Sequence, residues 1–139
     1  ARIHLLIISL LKVIRIMYSV SVFKSFVAQH FLIGGDFGEE NSKHSHCFKV
    51  QLIIQSAVTN QFNYVVDIDE IKKILNGIEN KYKDKCLNDF DEFKDQNPSI
   101  ELFSKVIHDE FYNHNILNSN HSLKVRVWED EECYASYWH

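Results

Sequence analysis

From His44 onward the chain alternates between two kinds of residue. His44, His46, Phe48, Val50, Leu52 and Ile54 fall on one parity, and Ser45, Cys47, Lys49, Gln51 and Gln55 on the other. A period of two is that of a β-strand, whose successive side chains point to opposite faces. This segment is therefore expected to be half-buried, in a sheet with one face covered and its polar face towards water or a partner. The two histidines stand on the apolar side. Buried ring nitrogens need partners, so the surrounding fold must supply something to His44 and His46.

A second alternation precedes the first. Tyr18, Val20 and Val22 oppose Ser19, Ser21 and Phe23, and the β-branched and aromatic content continues to about Phe31. Gly34, Gly35 and Gly38, three of the four glycines, then mark a loop ahead of His44. The stretch from Asn60 to Asn63 reads as a loop or hairpin end. Two helices follow. Ile68, Ile71, Ile74, Leu75 and Ile78 recur at helical spacing behind Asp67 or Asp69 as N-cap. Pro98 and Ser99 open the second helix, which carries Leu102, Phe103, Val106, Ile107 and Phe111. His108 and His114, on or just after it, are expected to face solvent. Residues 84–97 between the helices are acidic and irregular. Two short strands, 123–129 and 133–138, close the chain around an acidic turn. The order ββααββ predicts an α+β domain, an antiparallel four-stranded sheet with two helices on one face.

Composition bounds the function. A chain of 139 residues fits one domain. A net charge of −4 with scattered Lys and Arg excludes a nucleic-acid binder, which needs clustered cations. Cys47, Cys86 and Cys133 form no CxxC pair, and an odd count fits reduced thiols and a cytoplasmic location. The first sixteen residues are apolar, but Arg2, Lys12 and Arg15 interrupt them, and the unbroken run is too short to span a membrane. No small-residue cleavage site follows it. Met17 is the only methionine; residues 1–16 are read as an extension ahead of a single domain over 17–139, with a basic interfacial helix as the alternative.

Eight histidines stand out, because imidazole is the commonest metal ligand. His44 and His46 share a strand face, and two imidazoles so placed can grip one zinc ion at roughly 2.0–2.1 Å each. His30 sits near the end of the preceding strand, where an antiparallel neighbour brings it alongside. Three histidines and one open position make a catalytic zinc site. From spacing alone, ordinary strand histidines remain an equal reading.

Phe26-Val27-Ala28-Gln29-His30-Phe31, followed by Lys43-His44-Ser45-His46-Cys47-Phe48-Lys49-Val50, resembles the 6-pyruvoyltetrahydropterin synthase family. The likeness continues through Val66-Asp67-Ile68 with Ile71-Lys72, Pro98-Ser99-Ile100-Glu101 and Val125-Arg126-Val127-Trp128-Glu129. It covers about Tyr18 to Tyr137 in the family's order. The resemblance implies the T-fold and His30, His44 and His46 as zinc ligands. It also implies Glu129 as the pterin anchor, a carboxylate that accepts two parallel hydrogen bonds from the ring, and Glu101 as a second glutamate near the same pocket. The assemblies implied are trimers closing a barrel, paired into homo-hexamers.

Two features depart from the family pattern. The cysteine that serves as general base is absent, and Glu40 takes its place; some members carry glutamate there. The relay histidine before Leu87-Asn88 is replaced by Asp84, or by Lys85 if one residue has been lost. Glu40 and Asp84 are thus the candidate catalytic residues. Cys47 faces away from His46 on a regular strand. The implied activity is a zinc-dependent lyase acting on dihydroneopterin triphosphate or a related dihydropterin. The alternative is a member that binds zinc and pterin without turnover.

Overall fold

The computed structural model describes residues 2–4 and 17–139. The expected N-terminal extension therefore lies almost wholly outside the described residues. No helix among the described residues is long and apolar enough to cross a membrane.

Strand β1 (Tyr18–His30) pairs antiparallel with β2 (His44–Ser56), in a register that sets Tyr18 opposite Ser56 and His30 opposite His44. Strand β3 (His121–Trp128) lies on the other side of β2, and β4 (Tyr134–Trp138) pairs with β3. The sheet order is thus β1-β2-β3-β4, antiparallel throughout. Helices α1 (Ile68–Tyr82) and α2 (Ile100–Tyr112) form the connection between β2 and β3. Helix α1 packs on β1, and α2 packs on β3 and β4.

The alternation read from the sequence decides which side is covered. Val22, Phe26, Ala28 and His30 of β1 are buried, as are Phe48, Val50, Leu52 and Ile54 of β2. Beneath them, Phe26, Phe48, Tyr82, Phe93 and Phe103 meet edge to face at centroid distances of 5.3–6.4 Å. Burying a side chain of this kind fully contributes about 1.5–3 kcal/mol, so this aromatic ladder anchors the sheet to both helices. Phe103 lies at its centre, meeting each of the other four rings, and the hydroxyl of Tyr82 beside it points to Glu92 and Glu110.

Helix α1 is capped by Asp67, which accepts from the Asp69 amide at 2.9 Å, and α2 by Ser99, which accepts from Leu102 at 3.2 Å. The stretch 84–97 is more ordered than its composition suggests. It holds two short 3-10 turns, Leu87–Asp89 and Asp91–Phe93, each burying one apolar residue in the core, Leu87 and Phe93. Cys86 bridges to Gln29 in parallel, and the Gln29 amide donates to the Lys85 carbonyl at 2.9 Å. This stretch therefore covers the last residues of β1, just where His30 emerges.

Candidate metal centre

The register of β1 and β2 puts His30 directly across from His44, and His46 lies two residues further along on the same face. The three rings meet edge on. Their centroids are 4.6 Å apart for His30 and His44, 5.0 Å for His30 and His46, and 4.9 Å for His44 and His46. One ring nitrogen from each lies within 4.8 Å of the other two. His30 and His46 both rest edge-on against Phe48 at 5.6 Å, so the cluster continues the aromatic ladder of the core.

Two of the rings are oriented by the backbone. His30 Nδ1 lies 2.8 Å from the Pro98 carbonyl, and His44 Nδ1 lies 2.7 Å from the Ser42 carbonyl. A carbonyl can only accept, so in each ring Nδ1 carries a proton, and in the neutral ring Nε2 then keeps its lone pair. The Nε2 atoms of His44 and His46 are buried with no hydrogen-bond partner. Glu129 Oε1 approaches His46 Nε2 to 3.7 Å, too far for a hydrogen bond. Burial holds His30 below the usual histidine range; the Pro98 carbonyl opposes this, and the neighbouring His44 and His46 reinforce it. A neutral imidazole is the form that ligates. Converging imidazoles with orphaned nitrogens form a donor set that fits a metal ion.

The exit of β1 is pinned on both sides. Asn88 accepts from the Phe31 amide and donates to the Phe31 carbonyl, each at 3.0 Å. Asn97 accepts from the Ile33 amide at 3.0 Å. Asn41 donates to the Leu32 and Gly35 carbonyls and accepts from the Phe37 amide, closing the glycine loop on itself. Gly38 opens the 3-10 turn Gly38–Asn41 at φ +65°, where a Cβ would be strained.

The other candidate residues are placed less uniformly. Glu129 follows β3 directly and is partly buried beside His46. On the outer sheet face a cleft of about 480 Å³ opens against it, between Ser25, Cys47, Lys49 and Trp128. Glu101 is exposed in the first turn of α2, three residues beyond the Pro98 carbonyl that holds His30. Glu40 lies in the 3-10 turn ahead of His44, with its backbone carbonyl on the Leu32 amide at 2.8 Å and its side chain in solvent. Asp84 is exposed in the turn after α1, at φ +58°, and its amide donates to the Val27 carbonyl. Cys47 is exposed on the face opposite His46. His114 faces solvent as expected, but His108 does not: it is wholly buried. The helix stripe Phe103, Ser104, Ile107, His108 and Phe111 turns inward, and His108 lies on it.

The supports of the cluster had no signal in the sequence. The carbonyls of Ser42 and Pro98 belong to no motif, since every residue has a carbonyl. Asn88 stood in a Leu-Asn pair whose function only the tertiary contact reveals.

Comparison with known proteins adds the lineage. The family model described as 6-pyruvoyl tetrahydropterin synthase matches residues 19–139. The chain belongs to that family. Sequence comparison with curated proteins finds no significant match. Among solved structures, 6-pyruvoyl tetrahydropterin synthase of Caenorhabditis elegans superimposes with a TM-score of 0.76 at 18% identity, covering 88% of this chain and 96% of that one. The Plasmodium falciparum synthase gives 0.72 at 19% identity, covering 88% and 98%. The Plasmodium vivax synthase, solved as a variant replacing one glutamate by cysteine and described as a catalytic residue mutant, gives 0.70 at 14% identity with the same coverage. Likeness at such identities carries the fold, the T-fold of the 6-pyruvoyl tetrahydropterin synthase family.

Proposed function

We propose that this chain is a zinc-dependent lyase acting on dihydroneopterin triphosphate or a closely related dihydropterin. The observation that carries the reading is the convergence of His30, His44 and His46, with two buried Nε2 atoms that no protein group satisfies. Zinc is the ion that three neutral imidazoles and one open position suit best. Bound there, it supplies Lewis acidity to side-chain oxygens of the pterin, easing proton abstraction beside them.

The chain's own residues do the rest. Glu129 holds the ring by accepting two parallel hydrogen bonds, and its place between the histidines and the cleft on the outer sheet face supports that role. Glu101 lies on the same α2 terminus that orients His30 and is assigned to the pocket rim. Glu40 moves the proton. The Plasmodium vivax synthase, in which one glutamate is described as catalytic, supports a glutamate in this role. A general base in this role works best in a site closed to water.

Exclusion of water calls for a partner. The outer sheet face exposes Phe23, Val27 and Trp138, and β1 and β4 present sheet edges. Such features support trimers that close a barrel and pair into hexamers. Light scattering that reads a stable monomer at micromolar concentration would contradict this assembly.

Incubating zinc-loaded protein with dihydroneopterin triphosphate, with products identified by mass spectrometry, tests the function. A new pterin lacking the triphosphate is expected. Recovery of intact substrate, with tight pterin binding, would favour the rival reading of a binding subunit without turnover.

A further inference from the structure

A second cluster of ligating side chains lies at the other end of α2. His108 is fully buried on the inward stripe of that helix. Its Nδ1 is 3.1 Å from Asp109 Oδ1, while its Nε2 is buried with no hydrogen-bond partner. Strand β4 pairs Trp138 with Lys124, which carries the next residue, His139, over the helix. The His139 ring meets His108 edge-on at 4.6 Å, and Tyr137 meets it at 4.9 Å from the same strand. One ligand atom from each of His108, Asp109 and His139 lies within 4.8 Å of the other two.

A buried imidazole with an unsatisfied nitrogen costs about 1–3 kcal/mol unless something answers it. Among the described residues no hydrogen bond of good geometry does, although the Leu123 backbone, like Asp109, favours the protonated ring against the effect of burial. The separation between His108 Nδ1 and Asp109 Oδ1 is what two ligands show when each stands roughly 2.0–2.2 Å from one ion. Lys105 pairs with Asp109 Oδ2 at 2.9 Å, which leaves Oδ1 for the cluster. Two imidazoles and one carboxylate select a first-row divalent transition metal over calcium or magnesium, which prefer oxygen ligands.

We infer that His108, Asp109 and His139 form a second site for a first-row divalent transition metal. It is separate from the strand histidines. Eight residues of α2 separate His108 from Ile100, at the helix end whose preceding Pro98 carbonyl orients His30, roughly 12 Å at the helical rise. An ion here would tie the end of β4 to α2, closing the sheet edge onto the helix layer.

Untagged full-length protein, stripped of metal, should be titrated with Co2+ and followed by visible absorption and calorimetry. The wild type is expected to take up two ions per chain. His139→Ala, a change at an exposed residue, should leave one, or weaken the second by at least ~10-fold, the lower bound for losing even a supporting partner. Asp109→Asn should act in the same direction. The double variant His44→Ala/His46→Ala should retain one ion, and adding His139→Ala should remove it. That pattern would stand even if the strand histidines bound nothing. Identical stoichiometry and affinity in wild type and His139→Ala would overturn the inference.

Discussion

The end of the sheet that holds the three histidines and the turns that flank it are built differently. His30 and His44 are oriented by carbonyls of Pro98 and Ser42, and the strand exit is clamped by Asn88 and Asn97. Glu40 and Asp84, the candidate proton carriers, sit on turns whose backbones are tied down while their carboxylates stand in solvent. The candidate ligands are thus preorganised within one chain, and the candidate proton carriers are not. Metal binding should then be a property of the folded chain, whereas turnover should depend on whatever closes over the site. Each variant below separates the two.

Glu40→Gln tests the side in solvent and should have the largest effect. Zinc and pterin binding should survive, since glutamine keeps the shape. Turnover should fall ~100-fold or more, the usual scale for losing a general base. Glu39→Gln is the control. Equal, small losses in both variants would make this turn a solvated loop and leave the base unassigned.

Asn88→Ala tests the preorganised side. It strips both partners from the Phe31 backbone, which should lower stability by about 1–3 kcal/mol in chemical denaturation. Zinc affinity should fall roughly 10-fold as His30 loosens, a loss typical of supporting groups. Unchanged affinity in a destabilised protein would mean that the Pro98 carbonyl alone orients His30.

Asp84→Asn should do least. The residue sits at positive φ, a conformation that asparagine adopts as readily as aspartate, so the fold should be kept. Turnover within about threefold of wild type is expected if Glu40 carries the proton alone. A loss comparable to that of Glu40→Gln would make the two carboxylates a relay.

How much of this could be read from the amino acids depends on the range of the interaction. The parity of residues 44–55 already told which face carries the core, although Gln51 and Ile53 on the other face are buried too, Gln51 donating to the Ser21 hydroxyl of β1. Parity also told that His44 and His46 share the core face, because a strand's period is local. The pairing of His30 with them followed from one short connection. The turns in 84–97 were missed because Leu87 and Phe93 act as core residues only once β1 and α2 are in place. The burial of His108 was missed although its signal was present. It stands four residues from Ser104 and three from Phe111 on an apolar stripe, but polar residue type outweighed periodicity. Carbonyl partners such as Ser42 and Pro98 leave no trace in side-chain identity and needed the structure.

The most direct measurement compares wild type and His46→Ala, each metal-free and zinc-reconstituted, for conversion of dihydroneopterin triphosphate. Zinc-loaded wild type should turn over substrate, and chelation should abolish the reaction until zinc is restored. His46→Ala should remain inactive in both forms while keeping its fold by circular dichroism. Equal conversion by metal-free wild type, or by His46→Ala, would contradict a zinc centre built from these strand histidines.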